Sequence, residues 1–352
     1  MINNTQINET QSNTVQGNKL LELNAGYPDK LAEYLEELRD NDKKLPTGIQ
    51  ELDEILGGGL KVGGITTIAA APTFGKSTLA IGVAENLSQQ GQQVIYYTND
   101  VASSELILKL LSRVSFEIFG QRGALTVSNI REYVTGGRLK DDVWDKVLEA
   151  FKERAKNLRI IDIKDMMLEQ QVEGQGVNYM ADHMLYLKKE VSNYLEQQVQ
   201  PVIILDYLQT IPTGQGGKDK ERIDNLVNEM KMLAIGYDLP VLLVSSISRF
   251  YYDKPIVMEA LKESGGIEYG SDIIVGIQHK GVSSEKSPEE NKKTIAENKR
   301  RETWQMELLV LKNKLGMADQ KVGTEFSARY NYFGTSNIRK EPKTTIRKTI
   351  NW

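Results

Sequence analysis

Between Leu45 and Phe333 the chain alternates short apolar runs with longer amphipathic stretches. The runs ITTIAA (65–70), QVIYYT (93–98), LRIIDI (158–163), PVIILDYL (201–208), PVLLVSS (240–246), DIIVGIQ (272–278) and MELLVLKN (306–313) have the length and β-branched content of strands. Most lack a polar face, as strands covered on both sides do. Helical stretches fall between them, starting at Lys76 and at Ser103, spanning Tyr179–Gln198, and centred on 222–236. This alternation predicts an α/β fold with a largely parallel central sheet flanked by helices. No internal repeat accompanies it.

Outside that block the pattern changes. Residues 1–17, MINNTQINETQSNTVQG, contain almost no core-forming side chains and are expected to be disordered, because they bury too little to offset their ordering entropy. In the following segment, 18–44, Leu31, Tyr34, Leu35 and Leu38 form one helical stripe with Pro28 near its start. A helix packed on its own domain and a helix exchanged onto a neighbouring subunit both fit that stripe. The organised domain is expected over 45–333. The sequence from Tyr332, YFGTSNIRKEPKTTIRKTINW, reads as a basic tail, chiefly 334–352. Residues 282–304, dense in charges of both signs, read as a mobile insertion between strands. The Lys299-Arg300-Arg301 run there is a solvated face or a partner surface.

Composition narrows the chemistry. With 352 residues, 40% hydrophobic and 26% charged, the chain has ample material for a core. A net charge of −4 places any nucleic-acid contact on local basic loops rather than on the whole surface. The absence of cysteine excludes disulfides, thiolate zinc sites and a cysteine nucleophile, and the two histidines, His183 and His279, are far apart in sequence. No apolar run of membrane-spanning length and no signal peptide is visible, so no membrane association and a cytoplasmic location are expected.

The richest chemistry lies at AAAPTFGKSTLA, 69–80. A strand runs into a glycine-containing loop ending Gly75-Lys76-Ser77, and the loop runs into a helix. The helix start offers unpaired N–H groups and the positive end of its dipole to phosphates. Gly75 lets backbone approach closely, Lys76 is placed for the β- and γ-phosphates, and Ser77 supplies a hydroxyl for Mg²⁺. Ala70 stands where such loops usually begin with glycine, and it serves if its φ is negative. In VIILDYLQTI, Asp206 ends an apolar strand, where a carboxylate holds the Mg²⁺ shell or caps the next turn.

Taken in order, these stretches resemble the ATPase domain of DnaB-type replicative DNA helicases. The resemblance rests on TGIQELDEILGGGLKVGG (47–64), the alanine-first A-x-P-x-x-G-K-S loop, SNIREYVTGGRLKDDVWDKV (128–147), LDYLQ (205–209), PVLLVSSISR (240–249), ESGGIEYGSD (263–272) and LKNKLG (311–316). It implies a RecA-like core, ATP and Mg²⁺ as ligands, and a homo-oligomeric, hexameric ring that translocates on single-stranded DNA. It also implies nucleotide contacts from Ala70, Pro72, Thr73, Gly75, Lys76, Ser77, Thr78, Asp206 and Gln209, with Ser77 and Asp206 at the metal.

Three positions depart from the family pattern. Asp100 stands where the family places the glutamate that activates water; as an Asp before a helix it also reads as an N-cap. Ser246 replaces a glutamine sensor. The trans Lys-x-Arg pair becomes Lys312 and Lys314, which keep the charge without the planar fork. DNA contacts are expected from the loop PTGQGGKDKERIDN, through Lys218, Lys220 and Arg222. Arg249 and Lys254, which flank Phe250, Tyr251 and Tyr252, form a second candidate. The 44 residues before the domain are too few for the family's helical collar, and the absence of cysteine excludes a fused primase with a cysteine zinc module, so any primase and loader are expected to be separate proteins. A RadA-type branch-migration ATPase and a catalytically weak accessory subunit of a helicase assembly are the alternatives.

Overall fold

The computed structural model describes residues 30, 31, 35, 43–136, 142–165, 168, 182–210, 219–261 and 264–334. The expected disordered segment, most of the 18–44 helix, Lys218 with its glycine loop, and the tail beyond Gly334 lie outside the described residues. The chain divides into two units, Met1–Lys43 and Lys44–Trp352. In the first, Leu31 and Leu35 are helical. All that follows concerns the second.

The runs expected to be strands are strands: β3 (Ile65–Ala70), β4 (Val94–Thr98), β5 (Leu158–Ile161), β6 (Val202–Asp206), β7 (Val241–Ser246), β8 (Ile273–His279) and β9 (Trp304–Asn313). Two further strands, β10 (Lys321–Ser327) and β11 (Tyr332–Phe333), follow them. Among the described residues these form one nine-stranded sheet in the order β11-β10-β9-β8-β3-β7-β6-β4-β5. From β8 to β5 the neighbours pair in parallel, and from β8 to β11 they pair antiparallel. A small antiparallel pair, β1 (Lys44–Leu45) with β2 (Leu60–Lys61), precedes the sheet.

Burial explains the strand runs. Every residue of β3, β4, β6 and β8 is buried, so each side chain packs under a covering helix whichever way it points. Each fully buried Val, Leu or Ile contributes about 1.5–3 kcal/mol of transfer free energy, which holds the parallel half together. The covering helices are α1 (Gln50–Leu56), α2 (Lys76–Gln89), α3 (Ser103–Gly123), α4 (Val127–Thr135), α5 (Asp142–Arg154), α6 (Asp182–Leu195), α7 (Asp219–Tyr237) and α8 (Ser264–Gly270). Leu111, Val114, Ile130, Trp144 and Val147 form a second, smaller core between α3, α4 and α5. Among the described residues no helix is long and apolar enough to cross a membrane.

Two expectations are corrected here. The charged segment 282–304 contains a helix, α9 (Pro288–Lys299), between the antiparallel strands β8 and β9. Ser287 and Glu290 close its start as a reciprocal capping box, with Pro288 in the first turn. Asn291 and Asn298 are buried. Asn298 Nδ2 donates to the Gln305 carbonyl at 2.6 Å, and its Oδ1 accepts from the Gln305 N–H at 2.9 Å. Local capping and two buried amides supply the order that apolar content lacks. Likewise Tyr332 and Phe333 belong to β11 rather than to a tail, and Phe333 is buried against Phe326 with ring centroids 4.7 Å apart.

Candidate nucleotide site

The C-terminal edge of the parallel strands gathers the chemistry, as open α/β sheets do. Register places Ala70, the last residue of β3, opposite Ser246 of β7, and Thr98 of β4 opposite Asp206 of β6. Ala70 is an ordinary strand residue without positive φ, so alanine meets the geometric requirement of the loop's first position. The strained position is Thr73, whose φ of 67° puts a β-branched residue in the left-handed region. Gly75 has φ 84°, and a Cβ there would lie 2.5 Å from the Phe333 ring. Phe326 and Phe333, from the antiparallel strands, thus form the floor of the phosphate loop.

α2 starts at Lys76 with no side-chain cap and no acidic residue in its first turn. Its first N–H groups lack intrahelical partners and point with the positive dipole end into the loop, which suits phosphate oxygens. Lys76 lies 4.8 Å from the Tyr207 ring centroid. Burial lowers its pKa below the usual lysine value, while the charges of Asp206 and Asp100 act against that shift.

Asp206 is fully buried, with Ser77 Oγ donating to its Oδ1 at 2.9 Å and Tyr96 Oη donating to its Oδ2 at 2.7 Å. Burial pushes its pKa up, partly offset by those two hydroxyls and by the charges of Lys76 and Lys109. Among the described residues no cluster of three or more His, Asp or Glu side chains could hold a metal. One hydroxyl beside one carboxylate nevertheless fits Mg²⁺, which takes most of its octahedron from water and substrate phosphates.

Gln209, in the 3₁₀ turn Leu208–Thr210 after β6, turns its carboxamide onto the end of β7. Its Oε1 accepts from the Ser246 N–H at 3.0 Å and its Nε2 donates to Ser245 Oγ at 2.9 Å. The Gln209 amide thus ties the turn after β6 to the end of β7, and Ser246 itself keeps a serine where the family has glutamine. Asp100 is exposed and does not cap α3. The cap is Ala102, and the Ser103 N–H is taken by Asp162 Oδ2 at 2.8 Å. The capping reading of Asp100 is thereby removed, and its carboxylate acts through the field on Lys76 and Tyr207.

Lys312 and Lys314 stand at the other edge of the sheet. Asn313, between them, pairs with Ile273 at the start of β8, and the Asp272 carbonyl accepts from the Lys314 N–H at 2.9 Å. Lys312 Nζ donates to the carbonyls of Glu268 and of Ser271, the latter at 2.9 Å, and burial followed by the Lys314 charge lowers its pKa. Lys314 Nζ donates to the Tyr269 carbonyl at 3.2 Å and pairs with Asp272 at 3.5 Å. Neither lysine belongs to the phosphate loop of its own chain.

Residues 44–335 match the family described as DnaB-like helicase C-terminal domain. The chain belongs to that family. It is 25% identical over 252 residues to the replicative DNA helicase DnaB of Helicobacter pylori, covering 70% of this chain and 46% of the relative. It is 28% identical over 245 residues to a probable plasmid replicative DNA helicase of Chlamydia muridarum, covering 68% and 48%. The chain thus spans about half the length of the curated relatives it matches. Among solved structures, an isolated ATPase domain superposes with a TM-score of 0.62 at 19% identity, covering 89% of this chain and 99% of that one. A DnaB-like replicative helicase solved for its interactions with primase gives the same TM-score and identity over 67% of its chain. The fold is RecA-like.

Within this DnaB-like domain the DNA-contact candidates divide. Lys220 and Arg222 sit in the first turn of α7 rather than in the loop, because Ile223, Leu226, Val227 and Met230 bury one stripe and draw the helix back to Asp219. Arg249 opens a 3₁₀ turn, Arg249–Tyr251, just beyond the C-terminal end of β7. Of the three aromatics there, only Phe250 is strongly exposed, at 65%, and Lys254 Nζ lies 3.0 Å from its ring centroid. Tyr251 and Tyr252 pack against the core.

Three neighbouring residues lie outside the set expected from the sequence. Tyr96 sits inside an apolar run and reads as core. Asp162 ends a strand by the same logic as Asp206. Lys109 lies on α3 near enough to shift both Lys76 and Asp206, and its signal is a single cation interrupting ELILKLL.

Proposed function

We propose that this chain is the ATP-hydrolysing motor domain of a ring-forming DNA helicase that moves on single-stranded DNA during replication. The observation that carries the reading is the placement of two half-sites on opposite edges of one sheet. Lys76, Ser77 and Asp206 stand at the C-terminal edge, with Lys312 and Lys314 at the other. A domain built so completes its nucleotide site only when one copy lays its lysines against the phosphate loop of the next. Repeated around an axis, that contact closes a ring, a hexamer on the family's pattern.

In such a site the α2 N-terminus and Lys76 bind the phosphate chain, and Ser77 and Asp206 hold Mg²⁺. A Mg²⁺ ion held by these two residues would supply positive charge to the phosphate chain. Asp100, exposed and unengaged by a helix start, orients the attacking water and takes its proton. Lys312 and Lys314 of the adjacent subunit offset the charge gathering on the transferred phosphoryl group. Gln209, bonded to both Ser245 and Ser246, links the end of β6 to the end of β7. From there the chain continues to Arg249, Phe250 and Lys254, which meet DNA. Primase and a loader would act as separate partners.

A second reading, a weakly hydrolysing accessory subunit, is favoured by Asp100 being one methylene shorter than glutamate. Steady-state ATP hydrolysis with and without single-stranded DNA decides, with Lys76→Ala as the blank. Stimulation of tenfold or so by DNA, lost in the blank, is the expected result. Turnover indifferent to DNA overturns the motor, and nucleotide binding without turnover favours the accessory subunit.

A further inference from the structure

Helix α9 ends over the phosphate loop. β8 runs parallel to β3, with Ile277 opposite Ala70, so both strands deliver their C-termini to one edge. The chain leaving β8 folds into α9, whose last residue is Lys299. Its Nζ donates to Thr73 Oγ1 at 3.3 Å, and it lies 5.3 Å from the Phe74 ring centroid and 5.5 Å from that of Trp304. The rings are themselves fixed: Phe74 meets His279 edge-on at 4.5 Å, and Trp304 meets Phe326 edge-on at 5.3 Å. Asn298, the residue before, is tied to Gln305 by the two bonds described above and touches His279 Nδ1 at 2.8 Å. The ammonium group is thus aimed by a capped helix, two aromatic faces and a buried amide.

Its charge has no carboxylate partner among the described residues, and the first turn of α2 beside it carries no acid. Desolvation alone lowers its pKa. Lys299 is exposed, so water shares its solvation with one neutral hydroxyl at 3.3 Å and two ring faces. A polyphosphate in the loop would compensate the charge far better.

We propose that Lys299 is a second cation for the bound nucleotide, reaching its phosphate chain in the same subunit as Lys76. The inference rests on the nucleotide reading of the site. It assigns to the segment between β8 and β9 a direct part in binding, and it differs from the role of Lys312 and Lys314, whose edge of the sheet faces another copy. Thr73, held at positive φ, holds the ammonium in place until phosphate oxygens replace its hydroxyl.

The test is calorimetric titration of the full chain with Mg²⁺ and β,γ-imido-ATP, for wild type, Lys299→Met, Lys299→Glu, Lys299→Arg and Lys76→Ala. Methionine keeps a stem on the two rings and removes the charge. We expect binding about tenfold weaker for Lys299→Met and on the order of a hundredfold weaker for Lys299→Glu, with near-complete rescue by Lys299→Arg. Melting temperatures without nucleotide should stay within about 2 °C of wild type, as for surface substitutions. Equal affinity across the Lys299 series, with Lys76→Ala impaired, leaves the nucleotide site standing and removes the second cation. Equal losses for Met and Glu accompanied by a lower melting temperature make Lys299 a brace and also overturn it. A wild type that binds no nucleotide removes both readings.

Discussion

Asp206 accepts hydrogen bonds from Ser77 and Tyr96, yet burial still raises its pKa above the ordinary 3.8. A carboxyl that holds its proton longer in the folded state than in the unfolded one destabilises the fold as pH climbs from about 4 through the folded value, because the unfolded chain ionises first. Without nucleotide, Asp206→Asn should therefore melt a few degrees higher than wild type at pH 8, and the gap should shrink towards pH 4, while hydrolysis drops at least a hundredfold. Scanning calorimetry at both pH values, with a turnover assay, checks this. An Asn variant that melts lower at pH 8 would show that the two hydroxyl bonds outweigh desolvation. The placement of Lys76, Ser77 and Asp206 at one edge could be read from the sequence, because a strand, a Gly-Lys-Ser loop and a strand-end Asp are local signals. Tyr96, Lys109 and Lys299 were not legible, because each matters through a neighbour distant in sequence.

At the scale of elements, α2, α3 and α5 are joined by ions rather than by apolar contact alone. Arg113 of α3 is buried, with Nε 3.1 Å from Glu85 Oε2 of α2, and Arg154 of α5 contacts Glu85 at 3.4 Å and also Glu117. Burial pushes the Glu85 pKa up, and the two guanidiniums pull it back. Gly82 makes room: a Cβ there would stand 1.8 Å from Arg113 Nη1. Arg113→Met leaves Glu85 buried with half its compensation and should cost about 3–5 kcal/mol in urea unfolding. Adding Glu85→Gln should recover part of that loss, and a double variant no better than the single would refute the pairing. The strands of this half were legible from their unbroken apolar runs, whereas α9 was misread from its charge. Its Ser287-Pro288-Glu289-Glu290 start carried the capping signal that composition obscured.

For the whole molecule, the legible part was the parallel half. The turn to antiparallel pairing after β8, and the use of β10 and β11 beneath the loop, depend on long-range packing that no local pattern encodes. The two-edged arrangement leads to a prediction about assemblies. Lys314→Ala should bind β,γ-imido-ATP nearly as wild type does but turn over ATP at least tenfold more slowly. In mixtures with wild type, activity should fall more steeply than the wild-type fraction; a linear fall would mean that each copy works alone. Phe250→Ala with Lys254→Ala should weaken single-stranded DNA binding about tenfold in a fluorescence-anisotropy titration, leaving DNA-free turnover unchanged. The floor under Gly75 has a consequence for synthesis as well. The loop leaves the ribosome before every strand of the sheet except β3, while Phe326 and Phe333 arrive with the last two strands, β10 and β11. A nascent chain therefore carries the loop sequence long before it has the rings that pack beneath Gly75, and that packing forms only as the last strands of this sheet emerge.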